Sequence, residues 1–154
     1  MNPSPDAPAT GFDLEEFLPY RLSVLSNRVS DAFARLYETR FGITIPEWRV
    51  IANVGRFGPI SANGVCERSA MDKVTVSRAV QRLVDKGLLD RRTDAHDRRR
   101  SSLTLSAEGA TIYGEIVPLA LQIQAALVAD LDEAERRSLD RLMDKLDRQI
   151  AKLP

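Results

Sequence analysis

The chain holds one cysteine, Cys66, and one histidine, His96. A single cysteine excludes an internal disulfide and any cysteine-based zinc site. A single histidine leaves no imidazole cluster to hold a metal. No glycine-rich phosphate loop and no zinc-ligand spacing are found. No metal, cofactor or enzymatic role is therefore expected. No apolar run approaches the ~18 residues of a membrane span. No signal-peptide pattern opens the chain, so a cytoplasmic location is expected. Excess charge is lacking too: 22 basic residues balance 22 acidic ones.

The balanced total hides an uneven distribution. Residues 73–100 carry nine basic side chains (Lys73, Arg78, Arg82, Lys86, Arg91, Arg92, Arg98, Arg99 and Arg100) against four acidic ones, a net +5 in a neutral chain. A basic middle within an acidic frame suits local contact with phosphates and discourages indiscriminate coating of DNA.

At 154 residues the chain is long enough for one domain with a genuine core. Residues 1–12, rich in Pro, Ala and Gly, are expected to form a flexible tail. Residues 14–41 follow a helical period through Leu18, Leu22, Leu25, Val29, Ala32, Leu36 and Tyr37. Gly42 is placed to end that helix. A second helix should start at Thr44, where Thr44 and Glu47 make a capping-box pair with Pro46 in the first turn. Ser61 should cap a short third helix and Asp72 a fourth, which Gly87 ends. Gly64 sits where a capping-box Glu would strengthen the third helix. Residues 88–93 and 101–106 read as strands joined by a charged tip. Ser106 should cap a helix over residues 107–130, with a kink at Pro118. Asp132 should cap the last helix, striped by Leu139, Leu142, Leu146, Ile150 and Leu153.

The fold class expected is mainly α with a small β-hairpin wing, a winged helix-turn-helix on a helical dimerisation base. The DNA-binding lobe is assigned to residues 44–106. The base is assigned to residues 13–43 and 107–154, whose apolar stripes exceed what one small lobe can cover. At 100° per residue, Val76, Ala79, Val80, Leu83 and Val84 of the fourth helix face inward. Val74, Ser77, Arg78, Gln81, Arg82 and Asp85 face outward, with Thr75 at the flank. The outer face carries base-reading donors and acceptors, and Val74 suits a thymine methyl. A hairpin beside it can reach the flanking minor groove.

Two stretches resemble the MarR (multiple-antibiotic-resistance regulator) family. Asp72-Lys73-Val74-Thr75-Val76-Ser77-Arg78 through Leu83-Val84-Asp85-Lys86-Gly87-Leu88-Leu89 is similar to its recognition helix and first wing strand. Asp97-Arg98-Arg99-Arg100 with Leu103-Thr104-Leu105-Ser106-Ala107-Glu108-Gly109 is similar to its wing signature. The likeness spans about residues 17–146; Gly64 departs from the Glu often found there. It implies a homodimer built on the first, fifth and sixth helices, binding an imperfect inverted repeat of double-stranded DNA. It implies DNA contacts from Lys73, Val74, Thr75, Ser77, Arg78, Gln81 and Arg82. It also implies a wing Arg in the minor groove, Arg99 held by Asp97, with Arg98 as the alternative tip.

The same likeness implies a repressor released by a small aromatic or carboxylate-bearing effector, with CoA thioesters among the candidates. The family's pocket, where base meets lobe, would be lined here by Tyr20, Arg21, Arg28, Trp48 and Tyr113. The aromatic residues among these fit a core or dimer-interface role equally. An effector-independent architectural DNA-binding protein is the alternative function. Cys66 is expected as a small core residue rather than a redox sensor, and His96 as a solvent-facing hairpin residue.

Overall fold

The computed structural model describes residues 11–97 and 101–154. Six helices and one hairpin follow in the order α1 (Leu18–Phe41), α2 (Ile45–Phe57), α3 (Ala62–Ser69), α4 (Lys73–Asp85), β1 (Leu89–Thr93), β2 (Ser101–Leu105), α5 (Ala107–Leu127) and α6 (Glu133–Ile150).

Local chemistry sets most boundaries. Gly42 ends α1 in the left-handed region at φ 62°, and its N–H donates to Glu38 O. The Thr44–Glu47 capping box closes in both directions. Ser61, Asp72 and Ser106 each accept the N3 amide of the helix they precede. Gly87, at φ 72°, turns the chain from α4 into the hairpin.

Two expected boundaries move. The first helix starts at Leu18, not residue 14, and residues 14–16 form a turn. Pro19 is the reason: it has no N–H to donate, and its ring clashes with the carbonyl four residues back. α5 ends at Leu127 rather than residue 130. There Arg136 of α6 donates to the carbonyls of Val128 and Leu131 at 2.9 and 3.1 Å, satisfying groups that a longer helix would have used.

The core lies between α2, α4, the hairpin and the start of α5. It contains Val50, Ile51, Val54, Val65, Val76, Val80, Leu83, Leu88, Leu89, Leu103 and Ile116, closed by Tyr37 and Ile43. The strands pair antiparallel with Leu89 opposite Leu105 and Arg91 opposite Leu103. Ile60 adds a one-residue third strand, exchanging both backbone hydrogen bonds with Leu103 at 2.8 and 3.2 Å. Gly109 is buried where α5 crosses the start of the hairpin, and any side chain there would run into the Leu88 carbonyl. Cys66 is half-buried and packs against this core.

The helices outside the lobe are less covered. No residue of α6 is buried, and Leu139, Leu142, Met143, Ile150 and Leu153 are exposed. So are Leu18, Leu22 and Leu25 on α1 and Leu121 and Leu127 on α5. By length and composition alone α5 is apolar enough to cross a membrane, contrary to the expectation that no stretch would be. Within the fold its first half packs on the lobe through Ile112, Tyr113 and Ile116.

Candidate nucleic-acid interface

α4 is strongly two-faced. Val76, Ala79, Val80 and Leu83 are buried, and Val84 is half-buried against the same core. Lys73, Val74, Ser77, Arg78, Gln81, Arg82 and Asp85 are exposed, with Thr75 half-buried at the flank. Val74 is 58% exposed, although a valine in water gains nothing for the protomer. Two of the side chains are already engaged. Gln81 Nε2 donates to Asp85 Oδ1 at 2.8 Å, and the Thr75 hydroxyl donates to Asp72 Oδ2 at 2.6 Å. That bond uses one of the two Gln81 amide hydrogens and leaves the other and Oε1 for a base edge, and Ser77 and Arg78 lie exposed. Thr75 holds the carboxyl of Asp72 below the usual carboxylate range, chiefly through its hydroxyl and then its amide.

The wing begins with an Asx turn. Asp94 Oδ1 accepts from the amides of His96 at 2.7 Å and Asp97 at 3.3 Å, which bends the chain after β1. His96 and Asp97 are exposed. Arg98 and Arg99, the expected minor-groove residues, lie outside the described residues. Between the start of α3 and the base of the wing is a polar cleft of about 700 Å³, lined by Ser61, Asn63, Arg92, Thr93 and Ser102. Its polar lining comes from two elements that no single-helix pattern joins, so sequence reading did not single it out.

The five expected effector residues fall into two groups. Tyr20, Arg21 and Arg28 line a groove of about 650 Å³ along the first half of α1, with Leu18, Leu22 and Leu25. Trp48 and Tyr113 instead stack on each other, ring centroids 6.3 Å apart, at the edge of the core. They continue a run of aromatic contacts from Phe33 to Tyr37 at 5.8 Å and from Tyr37 to Trp48 at 5.1 Å. Tyr37 is fully buried, and its hydroxyl has no hydrogen-bond partner among the described residues. Burial pushes that hydroxyl up to about 12. The helical stripe contained Tyr37 but gave no sign that its polar end would be stranded.

Among the described residues no three His, Cys, Asp or Glu side chains gather in a way that could hold a metal ion.

A helix buried on one face and polar on the other, held beside a protruding hairpin and preceded by a short helix and tight turn, defines a winged helix-turn-helix DNA-binding fold. The MarR family model matches residues 41–100, a span that takes in α2, α3, α4 and β1. A protein named for transcriptional regulation of the hcr operon in Thauera aromatica is 27% identical over 122 residues, covering 79% of this chain and 74% of the relative. A MarR/EmrR family regulator from Acinetobacter sp. ADP1 superposes with a TM-score of 0.86 at 23% identity, over 92% of this chain and all of that one. BpsR of Bordetella bronchiseptica, whose DNA binding is regulated by 6-hydroxynicotinic acid, superposes with a TM-score of 0.78 at 26% identity, over 88% and 96% of the two chains. Over residues 41–100 the chain is thus similar to the MarR family, and its fold is that of MarR-type winged helix-turn-helix proteins.

Proposed function

We propose that the protein is a cytoplasmic repressor, not an enzyme, that binds an imperfect inverted repeat as a homodimer and is released by a small aromatic or carboxylate-bearing effector. The observation that carries the DNA-binding part is the outer face of α4, where Val74, Ser77, Arg78 and Arg82 stand exposed on a helix whose back is fully buried. Arg78 and Arg82 suit guanine edges, Ser77 accepts or donates to either base of a pair, and Val74 suits a thymine methyl. Lys73, at the first turn, lies where it can meet a phosphate. Arg99, directed by Asp97, enters the minor groove beside it, with Arg98 as the alternative residue at the tip.

The exposed leucines of α6 and the first half of α1 support the homodimer. A two-fold interface of Leu22, Leu139, Leu142 and Leu146 would cover surface that the protomer leaves in water. Residues 13–43 and 107–154 then form the base, and residues 44–106 the reading lobe.

For the effector, Arg21 and Arg28 provide cations and Tyr20 an aromatic face in the α1 groove. Guanidinium groups pair well with a carboxylate. Regulation of BpsR by an aromatic acid agrees with that chemistry. Trp48 and Tyr113 do not line that groove; their stacked rings at the edge of the core would offer the effector a second, aromatic contact. The test is fluorescence anisotropy on a duplex selected by the protein from a random-sequence library, challenged with a panel of aromatic carboxylates and their CoA thioesters. At least one compound should release the duplex and raise the melting temperature of the free protein, since it binds the folded state alone. Constant DNA affinity across the panel, with no thermal shift, would leave the effector-independent role.

A further inference from the structure

The recognition helix is fastened at its far end by an ion pair whose carboxylate is buried and whose ammonium is partly exposed. Lys86, the residue after α4, sends Nζ to Glu47 Oε2 at 2.8 Å and to the carbonyl of Gly42 at 2.9 Å. Glu47 is the one buried charged residue among the described residues, 1% exposed. Its Oε2 also accepts from the amide of Thr44, which caps α2. A single ammonium thus joins the end of α4, the start of α2 and the carbonyl at the end of α1.

The capping box does not need that charge. A glutamine at position 47 would accept from Thr44 equally well. Burying a carboxylate is costly unless it is paired. What the charge adds is its grip on Lys86. α4 has 13 residues, so it is about 20 Å long. A tilt of about 10° about Lys86 moves its reading end by about 3.4 Å, one base-pair step.

We infer that Lys86, held by Glu47, is a positioning residue for DNA recognition: it fixes the tilt of α4 against α1 and α2, and so the separation of the two recognition helices in the dimer. This rests on the inverted-repeat reading above.

The charge-neutral double variant Glu47→Gln/Lys86→Met tests it. Removing one charge of each sign leaves the overall electrostatic attraction to DNA unchanged, and the cap retains an acceptor. Lys86→Met alone would strand a buried carboxylate and is avoided. The probes are fluorescein-labelled inverted repeats selected by the wild-type protein from a random library, with spacers altered by one or two base pairs, and a random duplex of equal length. Circular dichroism melting verifies the fold of each variant. The wild-type protein should lose about tenfold in affinity for each base pair of spacer change. The double variant should lose about tenfold on the optimal spacer, vary less than about threefold among neighbouring spacers, and bind the random duplex as the wild type does. Lys86→Arg, which keeps the cation, should retain the spacer preference. A double variant with the wild-type spacer profile, at whatever overall affinity, overturns the inference. A wild-type protein indifferent to the spacer overturns the inverted-repeat reading itself, and the inference with it.

Discussion

Asp72 accepts two hydrogen bonds from Thr75, one from its amide at 2.8 Å and one from its hydroxyl at 2.6 Å. The pair sits at the end of α4 that faces the major groove in the proposed complex. It closes the first turn and fixes the flank from which Ser77 and Arg78 project. Asp72→Ala should therefore lower the melting temperature by a few degrees and weaken operator binding, although it removes a negative charge near phosphate. Because Thr75 holds the Asp72 carboxyl low, the cap's contribution is complete above the ordinary carboxylate value and is lost as pH falls through the lower, folded-state one. Asp72→Asn keeps an acceptor and should lose that acid dependence. Thermal melts at pH 7 and across the acid range check both expectations.

Tyr37 offers a test at the other end of the pH scale. Its buried hydroxyl has no partner among the described residues and is pushed up to about 12. An unfolded tyrosine ionises near 10. Between these values the folded protein keeps a proton that the unfolded chain has released. Stability is thus full below pH 10 and falls as pH rises towards 12. Tyr37→Phe should flatten that alkaline decline and, at neutral pH, leave stability unchanged or raise it by about 1 kcal/mol. Urea unfolding of both proteins at pH 7 and pH 10.5 would show it. A large loss at neutral pH would mean that the hydroxyl has a partner after all.

Much of this was legible in the sequence because it depends on local chemistry. The 100° periodicity placed Val76, Ala79, Val80 and Leu83 inward, and the caps at Thr44, Ser61, Asp72 and Ser106 lie where the residue types put them. Contacts between distant segments were not legible. Gly64 looked like a missing capping residue. In the fold a Cβ there would come within 2.8 Å of Ile60 Cγ1, so the glycine admits the short strand that pairs with Leu103. Arg136 capping α5 from α6, and Lys86 reaching Glu47 39 residues away, likewise depend on tertiary approach. Tyr20 and Trp48 share aromatic character, but packing assigns one to a surface groove and the other to the edge of the core.

Asp97 separates two accounts of the wing. If its carboxylate directs Arg99 into the minor groove, Asp97→Ala weakens operator binding even though a negative charge is lost. If the wing is only a phosphate clamp, the same change strengthens binding to any duplex. Anisotropy on operator and random duplexes at two salt concentrations distinguishes them. Tighter binding to both would remove the directing role.

Leu142, exposed in the protomer, is assigned to the two-fold interface. Leu142→Asp should yield a monomer in sedimentation velocity at micromolar concentration. Its helical content should stay near wild type, because Leu142 is half exposed and lies outside the core of the protomer. An unchanged sedimentation coefficient would move the interface away from α6.

In the proposed complex two copies of α4, related by a two-fold axis, read one operator together. Hydroxyl-radical footprinting of the wild-type protein on its selected duplex tests it most directly. Paired recognition helices entering successive major grooves should protect two symmetry-related half-sites centred about 10 base pairs apart. A single protected half-site without two-fold symmetry would contradict the account.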